Sequence, residues 1–176
     1  QSKKELVFAA MDNKPVDRVP SGFWFHFLQD EIHSDSFQHP ELFEQLYAGE
    51  TRYIDTVQPD FVKIMTDGFF PYENPTAFGL ETVEDFKHIV PLKDDDPWFT
   101  VQIGYAKKLS ERYGKDIPLF YNLFCAGTTL KFMRKDIFAA DAWLSKLVLE
   151  DPAAVKQGLD VISGDIAKLA KRLITE

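Results

Sequence analysis

Phe61-Val62-Lys63-Ile64-Met65-Thr66-Asp67-Gly68 is the stretch on which the fold class turns. Residues 61–65 are large or β-branched apolar side chains around one lysine, and Asp67-Gly68 is a turn signal, so the segment reads as a strand. Upstream, 19–27 is rich in aromatics with no polar alternation before His26, and it reads as a strand buried on both faces. Downstream, 117–123 reads as a third strand. Between them, 40–57 carries Leu42, Leu46, Ile54 and Val57 at helical spacing behind Pro40, and 97–113 is a helix closed by Gly114. Strands separated by helices cannot pair as hairpins, so they should lie parallel through right-handed crossovers. The pattern predicts an α/β protein with parallel strands near 19–25, 61–65 and 117–123 and helices packed on their outer side.

The helix termini are legible. Ser2-Lys3-Lys4-Glu5 fits a capping box, and the helix it opens stops at Asn13 and Pro15. Thr82-Val83-Glu84-Asp85 resembles the cap of a short helix. Asp151-Pro152 pairs an N-cap with a first-turn proline. The helix that follows carries Val155, Leu159, Ile162, Ile166, Leu169 and Leu173 as an apolar stripe. It runs to Glu176 with no glycine cap and no following strand. Two readings stand: a docked final helix, or an α/β array cut short, and the second is the expectation.

Composition narrows the function. The chain has 176 residues, 45% of them hydrophobic, with 16 Phe. One domain with a sizeable aromatic core is expected over 1–176. The formal charge of −8 lacks the basic stripe that a nucleic-acid surface needs. Cys125, the single cysteine, leaves no intramolecular disulfide and no Cys-rich zinc site. No apolar run approaches the roughly 18 residues of a membrane span, and the first residues lack a signal-peptide core. A cytoplasmic protein without a membrane or nucleic-acid partner is the simplest reading.

Three segments, in order, resemble the uroporphyrinogen decarboxylase superfamily. They are Lys14-Pro15-Val16-Asp17-Arg18-Val19-Pro20 after the opening helix, 59–67 with Asp67 at its end, and 117–133 through Gly127-Thr128 to Met133. The resemblance implies a (β/α)₈ TIM barrel, of which this chain would supply the N-terminal part, about three parallel βα units, with the barrel incomplete. It implies tetrapyrrole or methyl-transfer chemistry in the intact protein. The alternative is a non-catalytic ligand-binding remnant that self-associates, and a homo-oligomer is expected in either case.

The site expectations follow from the same source. Period-2 alternation puts Phe61, Lys63, Met65 and Asp67 on one strand face. The resemblance makes Asp67 the catalytic residue, an acceptor and counter-charge for a protonated pyrrole. The other reading is that Asp67 only begins an Asp-Gly turn. Lys63 lies on that face and, if buried, needs an acidic partner. His26 either contacts a ligand or is a hydrogen-bonded strand end. The family's two carboxylate-binding arginines fall at Phe25 and Gln29, and its active-site tyrosine at Phe132, so decarboxylation of uroporphyrinogen is not expected. Trp24-Phe25-His26-Phe27 resembles instead the corrinoid-linked methyltransferase branch, whose zinc ligands are not in this chain. His26, Lys63, Phe25 and Phe132 are the expected substrate contacts, for a tetrapyrrole or a corrinoid-linked methyl donor, with no metal or cofactor expected. Cys125 is expected to be a small core residue.

Overall fold

The computed structural model describes residues 1–64, 68–134 and 136–176. Six α-helices and one pair of strands occur among them: α1 (Lys3–Met11), α2 (Leu42–Val57), β1 (Val62–Ile64), α3 (Pro97–Tyr113), β2 (Leu119–Tyr121), α4 (Ala126–Phe132), α5 (Ile137–Glu150) and α6 (Pro152–Thr175). The strands are parallel, with Val62, Lys63 and Ile64 opposite Leu119, Phe120 and Tyr121.

This corrects the expected array of three parallel βα units in a (β/α)₈ barrel. The described chain is mostly helical, with a single two-stranded sheet. Residues 19–25 have no regular secondary structure and join no ladder with the described residues. Pro20 has no N–H to donate. Among the described residues the segment's backbone bond toward β1 runs from Asp60 N to Ser21 O at 2.8 Å. The side chains of this segment are not buried on two faces: Val19 is 82% and Phe23 61% exposed. The third expected strand keeps only its central three residues, because Ile117 N still bonds back to Tyr113 O at the end of α3.

The chain divides into two compact units. The first comprises Gln1–Phe70 and Gly104–Asn122, the second Pro71–Ile103 and Leu123–Glu176, so α3 runs through the division.

In the first unit α1 opens with the expected capping box: Glu5 N donates to Ser2 Oγ at 3.2 Å and Ser2 N to Glu5 Oε2 at 2.7 Å. Leu6, Val7, Leu46 and Ile54 are buried with Val62 and Ile64, the two apolar residues of β1. Phe43, Phe69, Phe70 and Tyr105 form an aromatic cluster of edge-to-face and tilted pairs with centroid separations of 4.9 to 6.2 Å. Part of the phenylalanine excess is spent there.

In the second unit α6 buries Val155, Ile162 and Leu169 of its predicted stripe, together with Ala154, Gly158 and Asp165. They pack on α4, α5 and the short 3-10 turn Asp85–His88. Gly158 is required there, since a Cβ would lie 2.8 Å from the carbonyl oxygen of Phe86. Asp151 caps α6 as predicted, accepting from the backbone N–H of Ala153 and Ala154. Asp165 accepts from the Tyr72 hydroxyl at 2.7 Å and from Leu92 N at 3.0 Å. This ties the irregular chain before α3 to α6. No helix among the described residues is long and apolar enough to cross a membrane.

Candidate functional site

Two of the motif segments meet in the first unit. Arg18 makes a two-pronged ion pair with Asp60, each contact 2.5 Å, and Asp60 also accepts from Ser21 N at 2.8 Å. The Arg18 guanidinium and the Ser21 N–H hold the Asp60 carboxyl down at about 2, well below the usual carboxylate range. The clamp fixes where the chain leaves Pro20 and starts the aromatic run.

That run is pinned and yet open. Phe23 N donates to Tyr53 Oη at 3.1 Å, and the same hydroxyl donates to Phe23 O at 2.7 Å. The Phe25 ring meets the Tyr53 ring edge-on at 5.4 Å. Trp24 is 53% and Phe25 51% exposed. Lys63, half-buried at the centre of β1, places Nζ 5.2 Å from the centroid of the Trp24 ring. Its partner in that contact is an aromatic face. Phe61 and Phe120 stack edge-to-face at 5.7 Å, and Phe120 is opposite Lys63 in the register.

Behind the run lies a buried acid pair. Glu31 takes the N–H groups of Phe27 (2.8 Å) and Leu28 (3.2 Å) on Oε2. His26 Nδ1 stands 3.3 Å from Glu31 Oε1, an ion-pair distance without hydrogen-bond geometry. Glu50 accepts from the Tyr105 hydroxyl at 2.7 Å and is 1% exposed. Gly49, its neighbour on α2, lets the chain at Phe27 come close: a Cβ there would fall 2.7 Å from Phe27 Cβ. Burial pushes the Glu50 carboxyl up to about 7 and the nearby Glu31 charge adds to this, while the Tyr105 hydrogen bond pulls the other way. The Tyr105 and Tyr121 hydroxyls are both driven upward, first by burial and then by Glu50. A carboxyl that titrates near neutrality can take or give a proton at physiological pH.

Of the predicted site residues, His26, Lys63 and Phe25 belong to this one region of the first unit. Phe132 belongs to the second unit, on α4, where it packs on Phe124 at 4.9 Å between centroids. Asp67 lies outside the described residues. Cys125 is exposed and not a core residue. It stands at the N-cap of α4, where hydrogen bonding with Thr128 lowers its thiol pKa. Among the described residues no group of three or more His, Cys, Asp or Glu side chains is placed to hold a metal ion.

Sequence reasoning missed Glu31, Glu50, Tyr105 and the Arg18–Asp60 clamp. Glu50 did leave a signal: it sits at the gap of the stripe Leu46, Glu50, Ile54, an acid where the helical spacing calls for an apolar residue. Glu31 left none, because its role depends on the backbone of Phe27 and Leu28. Compared with family models, curated proteins and solved structures, the chain matches none of them.

Proposed function

We propose that the first unit binds a planar tetrapyrrole-class ligand, porphyrin or corrinoid, and that the intact protein is a cytoplasmic uroporphyrinogen decarboxylase-like protein working on such a ligand. The observation that carries this reading is the aromatic run of Phe23, Trp24 and Phe25, more than half exposed while its backbone is fixed by Tyr53. A surface ordered before binding loses little entropy when a flat apolar ring is laid on it. Lys63 under Trp24 offers a cation to a ring carboxylate, and His26 a hydrogen-bonding group at the edge. The reading needs no barrel. Turnover of uroporphyrinogen is not part of it, since Phe25, Gln29 and Phe132 offer no charged or hydroxyl group to the acetates. Ultraviolet–visible titration with a porphyrin and with a corrinoid tests it. A saturable band shift is expected, weakened about tenfold by Trp24→Ala, the scale of one lost aromatic contact. No spectral change with either ligand refutes the reading.

Self-association is the second reading. It is favoured by Phe138 and Leu149, 85% and 86% exposed and eleven residues apart on one face of α5. Sedimentation of the chain against Phe138→Ser/Leu149→Ser decides it, with a dimer for the parent chain and a monomer for the double variant.

A further inference from the structure

The second unit holds a cavity of about 390 Å³ that the tetrapyrrole reading does not use. Its wall combines Ala77, Phe78 and Leu80 from the irregular chain with Leu130 and Met133 at the end of α4 and Ala139 and Trp143 on α5. Only two charged side chains are among the described lining residues, Arg134 and Asp136.

Arg134 is held in place without being saturated. Its guanidinium lies over the Trp143 ring at 4.3 Å. Its polar contacts are long: 3.5 Å to the Leu80 carbonyl oxygen and 3.8 Å to Glu81 Oε1. A guanidinium has five N–H donors in a planar fork, suited to grip a carboxylate with two at once. Stacking on an indole pre-orients that fork. Asp136 caps α5 through Oδ1 alone, accepting from Phe138 N at 2.9 Å and Ala139 N at 3.0 Å. Its second oxygen can accept from a ligand without opening the helix.

Among the described lining residues, one cation, one anion and an apolar wall are the complement of a zwitterion with an apolar side chain. The volume falls within the ~300–1,000 Å³ of small-molecule sites, and a cavity of about 150 Å³ already holds a benzene ring. We propose that this cavity binds a free α-amino acid with an apolar side chain. Arg134 takes the carboxylate, Asp136 the ammonium, and Phe78, Leu130, Met133 and Trp143 the side chain. A polyanion is disfavoured by Asp136, which shares the wall with Arg134. A neutral apolar ligand would leave both charges unused.

Calorimetric titration of the full chain with L-phenylalanine, hydrocinnamate and phenethylamine separates the contributions. L-Phenylalanine is expected to bind in a 1:1 ratio. Hydrocinnamate, lacking the ammonium, and phenethylamine, lacking the carboxylate, should each bind at least about tenfold more weakly, the cost of one charge-assisted contact. Arg134→Gln should lower L-phenylalanine affinity to a similar degree while leaving phenethylamine unchanged. Asp136→Asn keeps the helix cap, since Asn is as good an N-cap as Asp, and should bring L-phenylalanine down to the level of hydrocinnamate. L-Leucine and L-methionine serve as second probes. The proposal fails if none of the three amino acids gives heat at millimolar concentration with the chain folded. It fails equally if hydrocinnamate binds as well as L-phenylalanine, or if neither variant changes the affinity.

Discussion

Glu50 occupies a helical position that Leu46 and Ile54 mark as core, and it is buried like them. A charged carboxylate in such a place is costly, and burial accordingly raises its pKa to about 7. The folded state therefore holds a proton that the unfolded chain, with an ordinary carboxyl near 4.5, has already lost at neutral pH. Stability from this group is fully present below the ordinary value and falls as pH rises from there through about 7. Glu50→Gln keeps the acceptor for the Tyr105 hydroxyl and removes the titration. It is expected to flatten the stability profile over that window and to be more stable at pH 8 by something on the order of 3 kcal/mol. Urea denaturation at a series of pH values checks this, and parallel profiles for the two proteins would contradict it. Asp60 runs the other way. Its depressed pKa, about 2, adds stability above the ordinary carboxylate range that is lost as pH falls through about 2. Arg18→Gln is expected to return the Asp60 resonance to an ordinary titration and to move the acid unfolding midpoint upward, both visible by NMR.

At the scale of elements, the helix starts were read from sequence because a cap is local chemistry. Ser2 with Glu5 and Asp151 with Pro152 need only residues within four positions of one another. Asp151→Ala is expected to cost about 1 kcal/mol and Asp151→Asn close to nothing, by thermal denaturation. Strands are a different case. The alternation of Val62 and Ile64 against Lys63 was legible and correct: the first two are buried, and Lys63 meets Trp24 on the other side. The extent of the ladder was not legible, because pairing needs a partner at long sequence separation. Val62 and Leu119 are opposite each other across the whole of α3. Residues 19–25 have the composition of a buried strand, but no ladder partner among the described residues.

At the scale of the whole molecule, the correction from a barrel to a mostly helical chain has a measurable consequence. Val19→Ser should change stability by no more than about 0.5 kcal/mol, the usual range for an exposed site. A strand buried on both faces would lose about 1.5–3 kcal/mol at the same position. Ile54→Ala in the first unit and Leu169→Ala in the second should each cost about 2–5 kcal/mol, since both side chains are fully enclosed. Urea denaturation of the three variants compares them directly.

The sequence alone was enough for the caps of α1 and α6, for Val155, Ile162 and Leu169 on the buried face of α6, and for Val62 and Ile64 on the buried face of β1. Each is a matter of short-range spacing, or of a motif read against a known pattern. Only the tertiary structure decided that the 19–25 aromatics are displayed at the surface, that Arg18 clamps Asp60, and that Glu50 lies in a buried acid pair with Glu31. It also decided that Arg134 and Asp136 share a cavity with Trp143. The physical reason is common to all four. Whether an aromatic is covered, and whether a charge is neutralised, paired or left to titrate near pH 7, depends on groups tens of residues away, whose position local propensity does not encode.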